Sequence, residues 1–493
     1  MNAGGALMPT ARAVAGEATA LYPGLAVRIA TGDPLDGLID RMRPLAARAV
    51  DALQVAAALE TAGVTDQAAR ARFGFADVFA LAEAVYRRVP PAPEPAPADQ
   101  RQDRGWRDVG HGAMYLIAVA TFPPALAVVG RSVSITALVV TAATGWVLSG
   151  VISWLAYRLL GDGQARSAGQ LLGWATLVAI PLGAAVGGTM VAAAGAAPAL
   201  VGLTTGAMAY QLAVTVLVIY GQEALVFAAM APGAAAGVAY LVVGPPLLSM
   251  AVSAGLGSVV VVVGLALYQA FGPNSRHASG QVRQRAGSGP ARWTATVRRH
   301  WRRALAVVVF SALSAVFFLH PQARHLATRL DIALATLPLI AGMGVVEWQA
   351  RRFSAQVRAL LARVTQPRQF AVRIWLVVVG GLGICLAVVG ALAVALLGVL
   401  TLIGRGSAPA AVMATAGVLL AGAYYLGFLL ANLGRYGWLC VSLVLSLGTY
   451  EIARIALPGV LGDIQAFQIA AAQLLVLSAA GLLGLLTQAH RHR

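Results

Sequence analysis

The chain has 493 residues, 59% of them hydrophobic and 11% charged, with a mean hydropathy of +0.76. That balance excludes a soluble globular domain and marks a polytopic membrane protein. All 36 basic residues are arginines, set against 19 acids for a net charge of +17. The excess lies after residue 108, which points to membrane topology and anionic headgroups; no module for nucleic acid is present.

Residues 1–35 lack the basic, apolar and small-residue order of a signal peptide, and the first 16 read as disordered. From Leu35 to Arg88 apolar residues recur at helical spacing, with Pro44 set to kink or divide the run. Thr65 suits the N-cap of a second helix, Gly74 its stop, and Phe75–Val89 a third. Residues 1–89 are thus expected to form a small cytoplasmic helical domain, a candidate docking site for a cytoplasmic protein partner. Residues 90–109 follow as a linker that opens on the polyproline-like PPAPEPAPA.

Twelve apolar runs follow, at about 112–130, 134–158, 170–194, 198–221, 224–244, 247–271, 304–320, 328–348, 373–403, 409–433, 435–453 and 464–487. Only Pro245 and Pro246 divide the fifth from the sixth. The ninth is long enough to be tilted, or broken at Gly380, Gly381 and Gly383. The fold class expected is therefore all-α, with about twelve transmembrane helices in two six-helix bundles, residues 110–272 and 304–493. A basic linker over 273–303 joins them. Nineteen of the 24 arginines after residue 108 fall on the face of that linker and of the loop carrying Arg351 to Arg373. The positive-inside rule then puts both termini in the cytoplasm.

Two segments echo each other. Residues 150–158 read GVISWLAYR and residues 344–352 read GVVEWQARR, so Gly150, Val151, Trp154, Ala156 and Arg158 recur as Gly344, Val345, Trp348, Ala350 and Arg352. Each copy ends an apolar run where an aromatic and an arginine mark the bilayer exit. An internal repeat of six spans each, related by an axis along the membrane normal, accounts for the spacing.

Ionisable and polar groups at membrane depth are the candidate functional residues, because burying them costs free energy. Tyr210 and Gln211 lie in the fourth run, with Glu223 just beyond it; Glu347 ends the eighth, and Tyr424 and Tyr425 sit inside the tenth. Either they line a substrate path between the halves, or the glutamates are interfacial and the tyrosines pack. Glu347 has Arg351 one turn on; Asp331 has Arg329 nearby, and Glu451 has Arg454 at i,i+3. His111, His320 and His325 have no ligand spacing, and Cys385 and Cys440 lie apart in apolar runs, so no metal, cofactor or disulfide framework is expected. No Walker A, H-E-x-x-H or strand–helix G-x-S-x-G motif is present, and no enzyme is expected.

The two six-span halves, the basic linker and the Trp-plus-Arg exits GVISWLAYR and GVVEWQARR resemble the multidrug/oligosaccharidyl-lipid/polysaccharide exporter superfamily. That resemblance implies a cavity framed by spans one, two, seven and eight, and halves that rock in alternating access. It implies a flippase or exporter of a polysaccharide or lipid-linked precursor, in the inner membrane of a bacterium. The other function open at this point is a non-transporting membrane scaffold that recruits its partner through residues 1–89.

Overall fold

The computed structural model describes residues 34–47, 49, 51–89, 110, 112–114, 116–272, 290–326, 329–363, 367–457 and 460–483. Among the described residues every regular element is helical. The linker 90–109, His111, the arginines at 276, 283 and 285, and Arg491 and Arg493 lie outside them. The chain divides into two compact units, Met1–Arg101 and Gln102–Arg493.

The first unit contains α1 (Pro34–Ala46), α2 (Ala52–Thr61), α3 (Asp66–Phe73) and α4 (Val78–Arg88). Pro44 sits in the last turn of α1, and the helix ends two residues later. Asp51 caps α2, accepting from the Gln54 N–H at 2.9 Å, and Thr65 caps α3, accepting from Ala68. Gly74, at φ 75°, takes the left-handed turn that stops α3. The fourth helix starts at Val78, not Phe75, because the Phe75 N–H turns back to the Ala69 carbonyl while Asp77 caps Ala80. Val55, Leu59, Leu81 and Val85 are fully buried and give this unit its own core.

Among its described residues the second unit contains twelve helices long and apolar enough to cross a bilayer: spans one to six are Gly112–Val129, Ile135–Gly161, Ala165–Ala194, Ala199–Ile219, Glu223–Val243 and Pro245–Phe271. Spans seven to twelve are Trp301–His325, Leu330–Leu360, Arg368–Leu402, Ala408–Asn432, Tyr436–Ala456 and Asp463–Leu482. This is a polytopic membrane protein of two six-helix bundles. Gly244, at φ 89°, together with Pro245 and Pro246, turns span five into span six. Span nine is one unbroken helix, Pro367–Leu402. Its glycines do not break it, because a helix in hydrocarbon has no water to take over its backbone hydrogen bonds.

Neighbours repeat between the bundles. Span two packs on three and four, three on four, four on six, and five on six and one. Correspondingly, eight packs on nine and ten, nine on ten, ten on twelve, and eleven on twelve and seven. Lipid tails are as apolar as leucine, so close packing and interhelical hydrogen bonds must hold such helices together. Gly183 and Gly187 of span three show how: a Cβ on Gly183 would meet Thr205 Cα at 2.7 Å, and Thr204 of span four donates to the Gly183 carbonyl at 2.8 Å. In span five, the Gly233 N–H, next to helix-internal Pro232, donates to Ser258 Oγ of span six at 3.1 Å.

Candidate functional site

The principal contact between the bundles, among the described helices, is span two on span seven. Gly150, the first residue of the echo, lies against Ser311: a Cβ there would stand 2.5 Å from Ser311 Oγ. Four residues earlier, the Trp146 ring meets Phe318 with centroids 5.8 Å apart. Span one meets span eight where Gly112 abuts the Ala341 backbone so closely that no Cβ fits. Spans one, two, seven and eight therefore form the seam between the halves.

Both echo segments end in the same side-chain arrangement. The i,i+4 spacing stacks each arginine on its tryptophan, Arg158 at 5.9 Å from the Trp154 ring centroid and Arg352 at 5.1 Å from that of Trp348. A cavity adjoins each pair. The first, about 580 Å³, is lined by Trp154, Tyr157, Arg158, Gly161 and Asp162 of span two and its end, and by Tyr436 at the start of span eleven. It lies between the two halves. The second, about 290 Å³, is lined only by spans eight, nine and ten, including Gln349, Arg352, Gln356 and Tyr425.

The six candidate residues separate into groups. Glu223 is the first residue of span five, and Glu347 accepts from Arg351 at 3.2 Å. Tyr157 of span two, which lines the larger cavity, lies within Coulombic reach of Arg351, Glu347 and Glu223, so the fold brings the two glutamates toward one side chain. Between spans four and five, burial raises the Tyr220 phenol above its ordinary value, keeping it neutral close to Glu223 in the chain. Tyr210 packs on the core of the first half. Gln211 reaches span two, with its amide nitrogen 3.5 Å from the Ala142 carbonyl and its oxygen where a Gly145 side chain would be. One turn on, Thr215 donates to Ser149 of span two at 3.1 Å.

Tyr424 and Tyr425 belong to the second half. The Tyr424 hydroxyl is buried without a hydrogen-bond partner, whereas Tyr425 lies against Gly381 at the wall of the smaller cavity. Tyr210 and Gln211 are thus placed with spans two and four, and the paired tyrosines with spans nine and ten. Sequence reading passed over Tyr157, Gln349 and Gln356. Their signal was faint: a polar residue one or two helical turns from a bilayer exit looks interfacial whether or not a cavity adjoins it.

Asp331 and Glu451 are each tied to a neighbouring helix. Arg329 donates to both Asp331 carboxylate oxygens, at 3.1 and 2.8 Å, and Ser407 at the N-cap of span ten also binds Asp331. Glu451 accepts from Arg454 at 2.6 Å and meets His320 of span seven at 2.9 Å. The His320 link ties span seven to span eleven and was not readable from an i,i+3 pair. Among the described residues no group of three or more His, Cys, Asp or Glu could hold a metal ion.

No family model and no curated protein sequence matches the chain. Three solved chains resemble it, two of them MATE proteins. One is the crystal structure of the eukaryotic MATE transporter AtDTX14, at TM-score 0.50 and 14% identity, covering 80% of this chain and 98% of that one. The other is a MATE protein in a bent conformation, at TM-score 0.47 and 15% identity, covering 76% of this chain and 92% of that one. The twelve spans have the fold of the eukaryotic MATE transporter, and at this identity the likeness is one of fold.

Proposed function

We propose that the chain is a membrane transporter whose two six-span halves alternate about the seam of spans two and seven. The observation that carries this reading is the seam itself. Gly150, Ser311, Gly112 and Ala341 bring the helices close beside the Trp146–Phe318 ring contact, and a cavity of about 580 Å³ opens between the halves at the end of span two. Small residues let helices from the two halves approach closely, and a cavity between two repeats is where a carrier holds its substrate.

The substrate class proposed is a polysaccharide or lipid-linked glycan precursor, with both termini in the cytoplasm and the chain in a bacterial inner membrane. Trp154, Tyr157 and Tyr436 offer aromatic faces to sugar rings, while Arg158 offers a bidentate donor to phosphate. Nearness to Tyr157 supports a role for Glu223 and Glu347 beside this path. The reading is tested by reconstituting the full chain in liposomes with a fluorescent polyprenyl-diphosphate saccharide and adding a membrane-impermeant quencher. Transport raises the quenched fraction above the outer-leaflet share seen in protein-free vesicles. A fraction equal to that share would leave the chain a scaffold.

A further inference from the structure

The smaller cavity does not belong to the seam. Its polar floor comes from span eight, where Gln349, Arg352 and Gln356 share one face by i,i+3 and i+7 spacing. Span nine supplies the opposite wall through Leu376, Gly380 and Ile384, also one face of a helix. Leu376 is 67% exposed and Ile384 40%, so this wall looks out toward lipid. Gly380 leaves open space where a side chain would project. The cavity thus has polar side chains along one wall and apolar ones along the wall that faces lipid.

Its chemistry is that of an anion site. Gln349 is only 4% exposed, and its amide nitrogen is buried without a hydrogen-bond partner. A buried donor left unpaired costs more than the hydrogen bond it would make is worth, so this nitrogen requires an acceptor. The Arg352 guanidinium lies 5.1 Å from the Trp348 ring centroid, and among the described residues it forms no ion pair. No carboxylate lines the cavity. A guanidinium and an amide donor, with a tyrosine hydroxyl from span ten, match a phosphate ester's oxygens.

We propose that this cavity binds the phosphate ester of an anionic membrane lipid, with the acyl chains passing between Leu376 and Ile384 into the bilayer. Basic pockets between transmembrane helices are where acidic headgroups bind. A volume of about 290 Å³ is small for a site, enough for a headgroup and too small for an oligosaccharide chain. The site lies within one half and does not depend on the transport reading.

Native mass spectrometry of the full chain tests this, with phosphatidylglycerol, phosphatidylcholine and inorganic phosphate added separately. The wild-type chain should retain phosphatidylglycerol in preference to phosphatidylcholine. The variant Arg352→Gln/Gln349→Leu should lose retention by about tenfold, as removal of a charge-assisted hydrogen bond predicts. Gly380→Leu, which leaves the polar floor intact and fills the lipid-facing side, should lose it too, with Arg405→Gln as the control. Thermal unfolding of each variant confirms that the fold is retained. Equal retention by wild type and both variants overturns the proposal, and so does phosphate binding without lipid binding, since that would make the ligand a soluble anion.

Discussion

The guanidinium of Arg352 lies 5.1 Å from the centre of the Trp348 ring, and Arg158 holds the same position over Trp154 at 5.9 Å. Two side-chain pairs 194 positions apart in the chain thus adopt a similar geometry, Arg158 three residues before the end of span two and Arg352 eight before the end of span eight, each on a span that packs on the next two spans of its half. The pairs fix where each helix leaves the hydrocarbon, because the tryptophan prefers the headgroup level and holds the arginine there. Replacing either tryptophan with leucine removes the aromatic face and part of the volume while keeping the position apolar. A loss of about 0.5–1 kcal/mol per pair is expected, read as a lowered thermal midpoint in detergent; a variant that matches wild type would reduce the pairs to neighbours.

The seam between the halves should be sensitive to volume at one position. Gly150→Ala puts a methyl 2.5 Å from Ser311 Oγ, and the hydroxyl must rotate away or span two must move to accept it. Overpacking of this kind costs about 1–3 kcal/mol. Ser311→Gly removes the obstructing group, so the double variant should recover the stability that Gly150→Ala loses. Additive losses in the double variant, measured by thermal unfolding of all four chains, would show that the two positions do not meet.

Charge beside the larger cavity should matter for transport. Glu223→Gln/Glu347→Gln keeps size and hydrogen bonding and removes both negative charges around Tyr157. Substrate movement in liposomes is expected to fall at least several-fold with normal membrane abundance. Full activity would make both carboxylates interfacial, Glu347 serving only to hold Arg351.

Topology follows from the arginines. In a chain with Cys385 and Cys440 replaced by alanine, single cysteines at positions 285 and 358 should react with an impermeant maleimide only after the membrane is permeabilised. A cysteine at 405 should react in intact cells. Labelling of 285 and 358 from outside would invert the orientation.

The spans were legible because length and apolarity alone decide whether a helix can cross a bilayer, and Thr65 and Gly74 were legible because caps are local chemistry. Partners were harder to read. Gly150 in a run of small residues looks the same whether it faces Ser311 or lipid, since packing in hydrocarbon uses small residues and not a hydrophobic stripe. His320 and Glu451 are 131 residues apart, so only the fold makes them neighbours. Glu223 and Glu347 were singled out by the cost of burying charge, and their common neighbour Tyr157 followed from the approach of spans two, five and eight. Gly380 and Gly381 suggested a break by the rules of water-soluble helices; in span nine they provide space for Tyr425 and the smaller cavity.

Span nine has one more consequence. Its 36 residues form a rod about 54 Å long, against about 30 Å of hydrocarbon. A rigid element longer than the slab that holds it converts angle into travel. Tilting it by about 10° carries one end about 9 Å relative to the other. Arg368 and Arg373 ride on one end, and a fluorophore placed there would turn a slight lean of the helix into a large change in energy transfer.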